Sequence, residues 1–137
     1  MTTKLHVVCD GNGIPLGAAL SPGQAHDSTC FEIALNAVLL EHWPHAVAGD
    51  KGYSVRRIRK WLESRSIEDV IPYKSNEHPP QKHVFDRETY RRRNVVERLI
   101  GWLKECRRVA TRFEKRGKHF LAMIKLAALR RLVRLSL

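Results

Sequence analysis

Tyr90, Arg93, Glu97 and Lys104 are spaced three, four and seven residues apart in a stretch whose apolar residues keep helical spacing. At about 100° per residue the four fall within an arc of about 60°, so one helix face would carry a phenol, a guanidinium, a carboxylate and an ammonium. Val96, Leu99, Leu103, Cys106 and Ala110 gather on another side, which would hold the helix against a core. The stripe has two readings. As an ordinary exposed face, Arg93 and Glu97 would form an i,i+4 ion pair worth roughly a few tenths of a kcal/mol. As part of a site, Glu97 needs a second carboxylate, and Asp50 offers one. It ends the apolar run Ala46-Val47-Ala48-Gly49, the kind of strand end where parallel and mixed sheets place ligands. Carboxylates distant in sequence but convergent in space hold two Mg²⁺ ions about 3.5–4 Å apart, which activate a water and stabilise in-line displacement at phosphorus.

The elements that must position these groups follow from periodicity and turn chemistry. Residues 4–9 and 14–20 are β-prone and flank Asp10-Gly11-Asn12-Gly13, which predicts a β-hairpin over residues 4–20. Ser21-Pro22-Gly23-Gln24 ends it, and Asp27-Ser28 is expected to cap a helix over about 29–40, with Phe31, Ala34, Leu35, Val38 and Leu39 inward. A strand over 46–50 delivers Asp50, and a basic helix over about 54–64 turns Ile58, Trp61 and Leu62 inward. A strand over 69–73 and a polar loop over 74–85, with Pro79 and Pro80, lead to the helix of the polar stripe, over about 86–107 and capped by Asp86. A last helix over about 118–135 would face Phe120, Ile124, Ala127, Ala128 and Leu132 inward. The length of 137 residues suits one domain, or a piece of one.

Composition narrows the partners. With 25 Lys+Arg against 14 Asp+Glu the chain carries a net charge of +11, which favours polyanions, nucleic acid foremost. Three cysteines, Cys9, Cys30 and Cys106, without a C-x-x-C pair, suggest neither a disulfide framework nor a zinc knuckle. A reducing compartment suits them. No apolar run reaches the length of a membrane span, and the first residues lack a signal-peptide core. A soluble, cytoplasmic protein is expected.

The spacing Y-x2-R-x3-E-x6-K, read at Tyr90, Arg93, Glu97 and Lys104, resembles the signature of bacterial insertion-sequence transposases of the DDE class, in the group related to insertion sequences four and five. Gly49-Asp50-Lys51-Gly52-Tyr53 looks like the segment carrying that family's second catalytic aspartate, and residues 5–16 with Ser21–Asp27 resemble the hairpin and helix cap before it. The resemblance implies an α/β, ribonuclease H-like fold, incomplete at its N-terminus and closed by two long helices. It implies Asp50 and Glu97 as catalytic, metal-binding carboxylates for Mg²⁺ (or Mn²⁺) in a two-metal site, and Tyr90, Arg93 and Lys104 as contacts to element-end DNA. Lys51, Arg91 and Arg92 would add phosphate contacts, which set affinity and register without reading sequence. Each of them singly is as readily part of a solvated basic face.

A DDE site needs three carboxylates, and in the relatives the first lies on a strand before the hairpin. Asp10 is the one early candidate, and its Asp-Gly-Asn-Gly context fits a turn. Asp27 is explained as a helix cap, and His78 and His83 as solvated loop residues, so no zinc site is expected. The chain then reads as the downstream half of a transposase whose upstream half, or a second copy on DNA, completes it. By itself it is expected to be inactive, and the element-end and target DNA are its partners, on the bacterial nucleoid. The competing reading is a non-catalytic DNA-binding fragment that inhibits intact transposase. A weaker one makes the last helix, with Lys125, Arg130, Arg131 and Arg134, a membrane-surface segment.

Overall fold

The computed structural model describes residues 3–38 and 41–105, together with residues 122, 125, 126, 129, 130, 133 and 134. Strands β1 (Thr3–Cys9) and β2 (Pro15–Pro22) form an antiparallel pair, with Leu5 opposite Leu20 and Val7 opposite Ala18. The turn between them is built by Asp10, whose Oδ1 accepts from the backbone N–H groups of Asn12 and Ile14 at 2.9 Å each. Gly13 sits in the left-handed region at φ 81°, which a residue with a Cβ rarely adopts. The Asp10 carboxylate therefore closes the turn.

A single 3₁₀ turn, Asp27–Cys30, runs into helix α1 (Phe31–Asn36). Cys30 and Ala34 pack with Ala19 and Val8, which lays α1 on the hairpin. The approach is close enough that a Cβ on Gly17 of β2 would stand 2.9 Å from Val38 Cγ2. The expected cap at Asp27-Ser28 is corrected here: His26 occupies the cap position with no side-chain hydrogen bond, and Asp27 is the first residue inside the turn. Its carboxylate is drawn away by the Lys4 ammonium, 3.0 Å distant on β1. A charge-assisted bond to an ammonium displaces a capping bond to a backbone amide.

The second sheet pairs β3 (Ala46–Ala48) with β4 (Glu68–Val70) in parallel, Val47 opposite Asp69. Helix α2 (Arg56–Glu63) makes the crossover. Its Ile58 and Leu62, four residues apart and fully buried, pack with Phe31, Leu35, Ile67 and Ile71, so the main core spans both sheets. Arg56, Arg57, Lys60 and Glu63 stay at the surface. Arg59 locks the exit of β4: it pairs with Asp69, donates to the Ile71 carbonyl at 3.1 Å and stacks 3.7 Å above the Tyr73 ring.

The polar stripe lies on two helices rather than one, α3 (Arg87–Arg92) and α4 (Asn94–Glu105). At the break the Arg93 N–H bonds to the Tyr90 carbonyl and the Val96 N–H to the Arg93 carbonyl, i→i+3 bonds that tighten the turn. Different forces hold the two pieces. α3 buries no residue and is held by its cap, Asp86 accepting from the Thr89 N–H at 3.0 Å and its hydroxyl at 2.6 Å. α4 lies against β1, and its Leu99 and Leu103 are fully buried. In the last helix the described residues are helical and exposed, Leu126, Leu129 and Val133 among them. The residues expected to face inward there, and Cys106, Ala110 and Arg131, lie outside the described residues. No helix among the described residues is long and apolar enough to cross a membrane.

Buried His6 of β1 joins the two sheets, with Nε2 2.8 Å from Ser21 Oγ on β2 and Nδ1 3.0 Å from Tyr53 Oη, just beyond β3. Burial holds the His6 imidazole below its ordinary pKa. The Asp27 carboxylate opposes that shift, Lys4 reinforces it and Asp50 opposes it. The unfolded chain therefore binds a proton that the folded chain resists. The stability contributed is full above the ordinary histidine value of about 6.5 and declines as pH falls below it. The thermal midpoint is expected to drop between about pH 7.5 and 5, and His6→Gln should flatten that slope; an equal slope in both proteins would contradict the assignment. In the core, Leu62→Ala is expected to cost about 2–5 kcal/mol in urea unfolding, and Glu63→Ala on the exposed face within about 0.5.

Candidate functional site

The strand expected over 46–50 stops at Ala48, and Asp50, two residues on, starts a 3₁₀ turn, Lys51–Tyr53, as its N-cap, with Oδ1 accepting from the Gly52 N–H at 2.9 Å. The position is crowded: a Cβ at residue 52 would meet Asp50 Oδ1 at 3.0 Å and Asp27 Oδ2 at 3.1 Å, so one of the carboxylates would have to shift by a few tenths of an ångström. Two carboxylates thus flank one backbone position, and Lys4 offsets part of their charge through Asp27. Tyr53 closes the group. Its ring packs on Phe31 at 5.6 Å, and its hydroxyl meets His6. Burial raises the Tyr53 pKa, and Asp27 and Asp50 raise it further, so the phenol keeps its proton and is available to donate. Sequence reading singled out Asp50 as a strand end but not the turn it caps, nor Lys4, His6 or Asp27 beside it. The hint lay in Ser21–Asp27, quoted for the resemblance, whereas the approach of Lys4 depends on hairpin register.

The stripe residues meet across the helix break. Arg93 Nη2 lies 2.7 Å from Glu97 Oε1, and the Arg93 guanidinium lies 5.2 Å from the Tyr90 ring centre. Tyr90 in turn packs on Phe85 at 5.3 Å. The Glu97 side chain is 61% exposed, against 23% for Arg93. Lys104 is placed in the last part of α4. Arg91 and Lys51 are exposed, and Arg92 reaches Glu88 at 3.3 Å.

A cavity of about 550 Å³ is lined by Gly49, the neighbour of Asp50, and by Arg93, the partner of Glu97, although neither carboxylate is among its lining residues. No contact between Asp50 and Glu97 themselves occurs among the described residues. Their hard oxygen donors fit a divalent cation such as Mg²⁺ in kind. In number they fall short: no cluster of three or more His, Cys, Asp or Glu suited to a metal ion is present among the described residues.

Residues 1–132 match the family described as the transposase DDE domain. A Burkholderia cepacia protein named as a transposase for insertion sequence element IS402 is 35% identical over 132 residues, covering 90% of this chain and 59% of that protein. A Brucella ovis protein named as a transposase for insertion sequence element IS6501 is 31% identical over 127 residues, covering 93% of this chain and 95% of that protein. The chain therefore spans about three fifths of the first relative and nearly all of the second. No solved structure gives a significant match. On these matches, and with its mixed α/β architecture, the chain belongs to the transposase DDE domain family of bacterial insertion sequences.

Proposed function

We propose that residues 1–137 are the downstream part of a ribonuclease H-like catalytic domain that cuts and joins DNA at the ends of an insertion sequence. What supports this reading is Asp50 beyond the end of a parallel strand and Glu97 on the stripe helix, each beside a residue that lines one cavity, Gly49 and Val96, in a chain of the DDE family. Asp50 leaves the carboxyl end of a parallel strand, where open α/β sheets gather their ligands. Glu97 is exposed and held only by an i,i+4 partner, so it is free to turn. Asp50 and Glu97 would hold the Mg²⁺ or Mn²⁺ ions, which when bound supply Lewis acidity and an activated water for phosphodiester displacement. The rest falls to the protein's own groups.

Arg93 neutralises Glu97 before the site is assembled. Tyr90, stacked against Phe85, keeps Arg93 in place and offers a phenol to the DNA. Lys104, Lys51, Arg91 and Arg92 supply phosphate contacts that hold the element end in register. The remaining carboxylate comes from protein outside residues 1–137, either the upstream part of the transposase or a second copy assembled on DNA. By itself the chain binds DNA without cutting it, in the bacterial cytoplasm and on the nucleoid.

The test is Glu97→Gln in the assembled transposase. Mg²⁺-dependent cleavage of element-end DNA is expected to fall by at least about a thousandfold, because an amide cannot replace an anionic metal ligand. Binding of the same DNA should change less than about threefold and keep its steep salt dependence. Undiminished cleavage would overturn the reading.

A further inference from the structure

Helix α3 carries Tyr90 and leads into Arg93, yet burial does not set its place. It buries no residue, and Thr89, Arg92 and Arg93 line the cavity. The cap at Asp86 fixes where the helix starts in the chain but not how it lies on the rest of the protein. Residues 74–85, which lead into it, form neither strand nor helix. A loop of that length takes its path from the contacts its own side chains make.

Those contacts converge on Arg59 of α2. Its guanidinium pairs with Asp69, donates to the Ile71 carbonyl at 3.1 Å and lies 3.7 Å from the centre of the Tyr73 ring, so it is held from three sides. It also donates to Ser54 Oγ at 2.6 Å, and the buried Ser54 hydroxyl donates to Glu77 Oε1 at 2.7 Å. A hydroxyl has one proton, and accepting from Arg59 directs that proton to the loop carboxylate. The Lys74 N–H donates to the same Glu77 oxygen at 2.9 Å. Partial burial works to raise the Glu77 pKa, but the bonds from Lys74 and Ser54 and the charges of Arg59 and Lys74 hold it below the ordinary carboxylate range. Glu77 is therefore ionised at neutral pH, and both of its bonds are charge-assisted. Nearer α3 the loop is fastened twice more. The His83 ring meets the Tyr73 ring edge-on at 5.0 Å, and Phe85 packs on Tyr90 at 5.3 Å.

We propose that Glu77 is a positioning residue for the reaction: by tying the loop to Ser54, next to the turn that Asp50 begins, it sets where α3 lies and so where Tyr90 and Arg93 stand. Ser54 serves as the fixed point because Arg59 locks its side chain and α2 starts just after it. Glu97 is placed differently, by the burial of Leu99 and Leu103 on its own helix. The tie acts on the phenol and guanidinium beside Glu97, and misplacing such groups by about 1 Å is enough to slow a reaction that depends on them. That these groups serve a reaction rests on the functional reading above; the tie itself does not.

The test compares Glu77→Ala with Glu77→Gln, because a Gln amide oxygen still accepts from Lys74 and Ser54 whereas Ala accepts nothing. Glu77 sits in a loop outside the apolar core, so neither variant opens a cavity there. Hydrogen exchange on residues 1–137, without DNA or metal, is the first measurement. Glu77→Ala is expected to speed exchange at least about tenfold at the amides of Lys74, Tyr90 and Arg93 and to leave Leu62 and Leu103 unchanged, with Glu77→Gln within about threefold of the unaltered chain. In the assembled transposase, Glu77→Ala should lower turnover in cleavage of element-end DNA about tenfold while affinity for that DNA changes less than about threefold. Glu77→Gln should recover most of that turnover. Faster exchange at Lys74 alone would reduce the tie to a local turn and overturn the proposal, and so would full turnover in Glu77→Ala or an equal loss in both variants. Exchange transmitted to Tyr90 and Arg93 in a chain whose assembled form cuts no DNA would leave the tie standing and overturn the catalytic reading.

Discussion

The position of Asp50 depends on one buried contact, that of Tyr53 with His6. Asp50, two residues beyond β3, has little else to fix it, since the turn after it is three residues long and its own backbone bond is local. Tyr53 supplies the anchor by reaching across to β1, and His6 receives it because Ser21 on β2 holds the opposite ring nitrogen. A ring with both nitrogens engaged has one orientation, and the phenol follows it. Removing the Tyr53 hydroxyl would take away a directional link to β1 and leave more of the joint to packing, which is non-directional.

Electrostatics around that anchor explain how a strongly basic chain keeps carboxylates close together. Asp27 and Asp50 both approach Gly52, an arrangement that costs energy through like-charge repulsion. Lys4 reduces the cost by pairing with Asp27, and the Gly52 N–H does so for Asp50. The pairing also explains why Asp27 does not cap its turn. A cation from a neighbouring strand outcompetes a local amide, and a reading of the local sequence has no access to that strand.

What the sequence made legible is local, and what it hid is tertiary. The turn at Asp10 and the cap at Asp86 are chemical statements about adjacent residues, and both carboxylates bond within four positions of themselves. The burial of Ile58 and Leu62 follows from spacing on one helix. The break at Arg93 does not, because it lies where a helix held by core burial meets one that buries no residue. Tyr90, Arg93 and Glu97 were visible as a pattern and do meet, although the continuous helix used to group them is interrupted. The cavity was invisible, since its lining comes from strands, helices and loops spread between residues 6 and 96.

The Arg93–Glu97 pair bears on whether such a chain is better viewed as an enzyme fragment or as a plain DNA-binding module. An i,i+4 ion pair with one exposed partner is worth roughly 0.3–0.5 kcal/mol, too little to hold Glu97 against a divalent cation or Arg93 against a phosphate. Separating the two releases a carboxylate and a guanidinium from the same helix turn, one suited to metal and the other to DNA. A module selected only to bind DNA gains nothing from a carboxylate beside its arginine, because the carboxylate repels the phosphates that the arginine attracts. On the proposed reading, Glu97 is a group kept neutralised until a cation takes its charge, and the weakness of the pair would allow both groups to be redirected when metal and DNA arrive together.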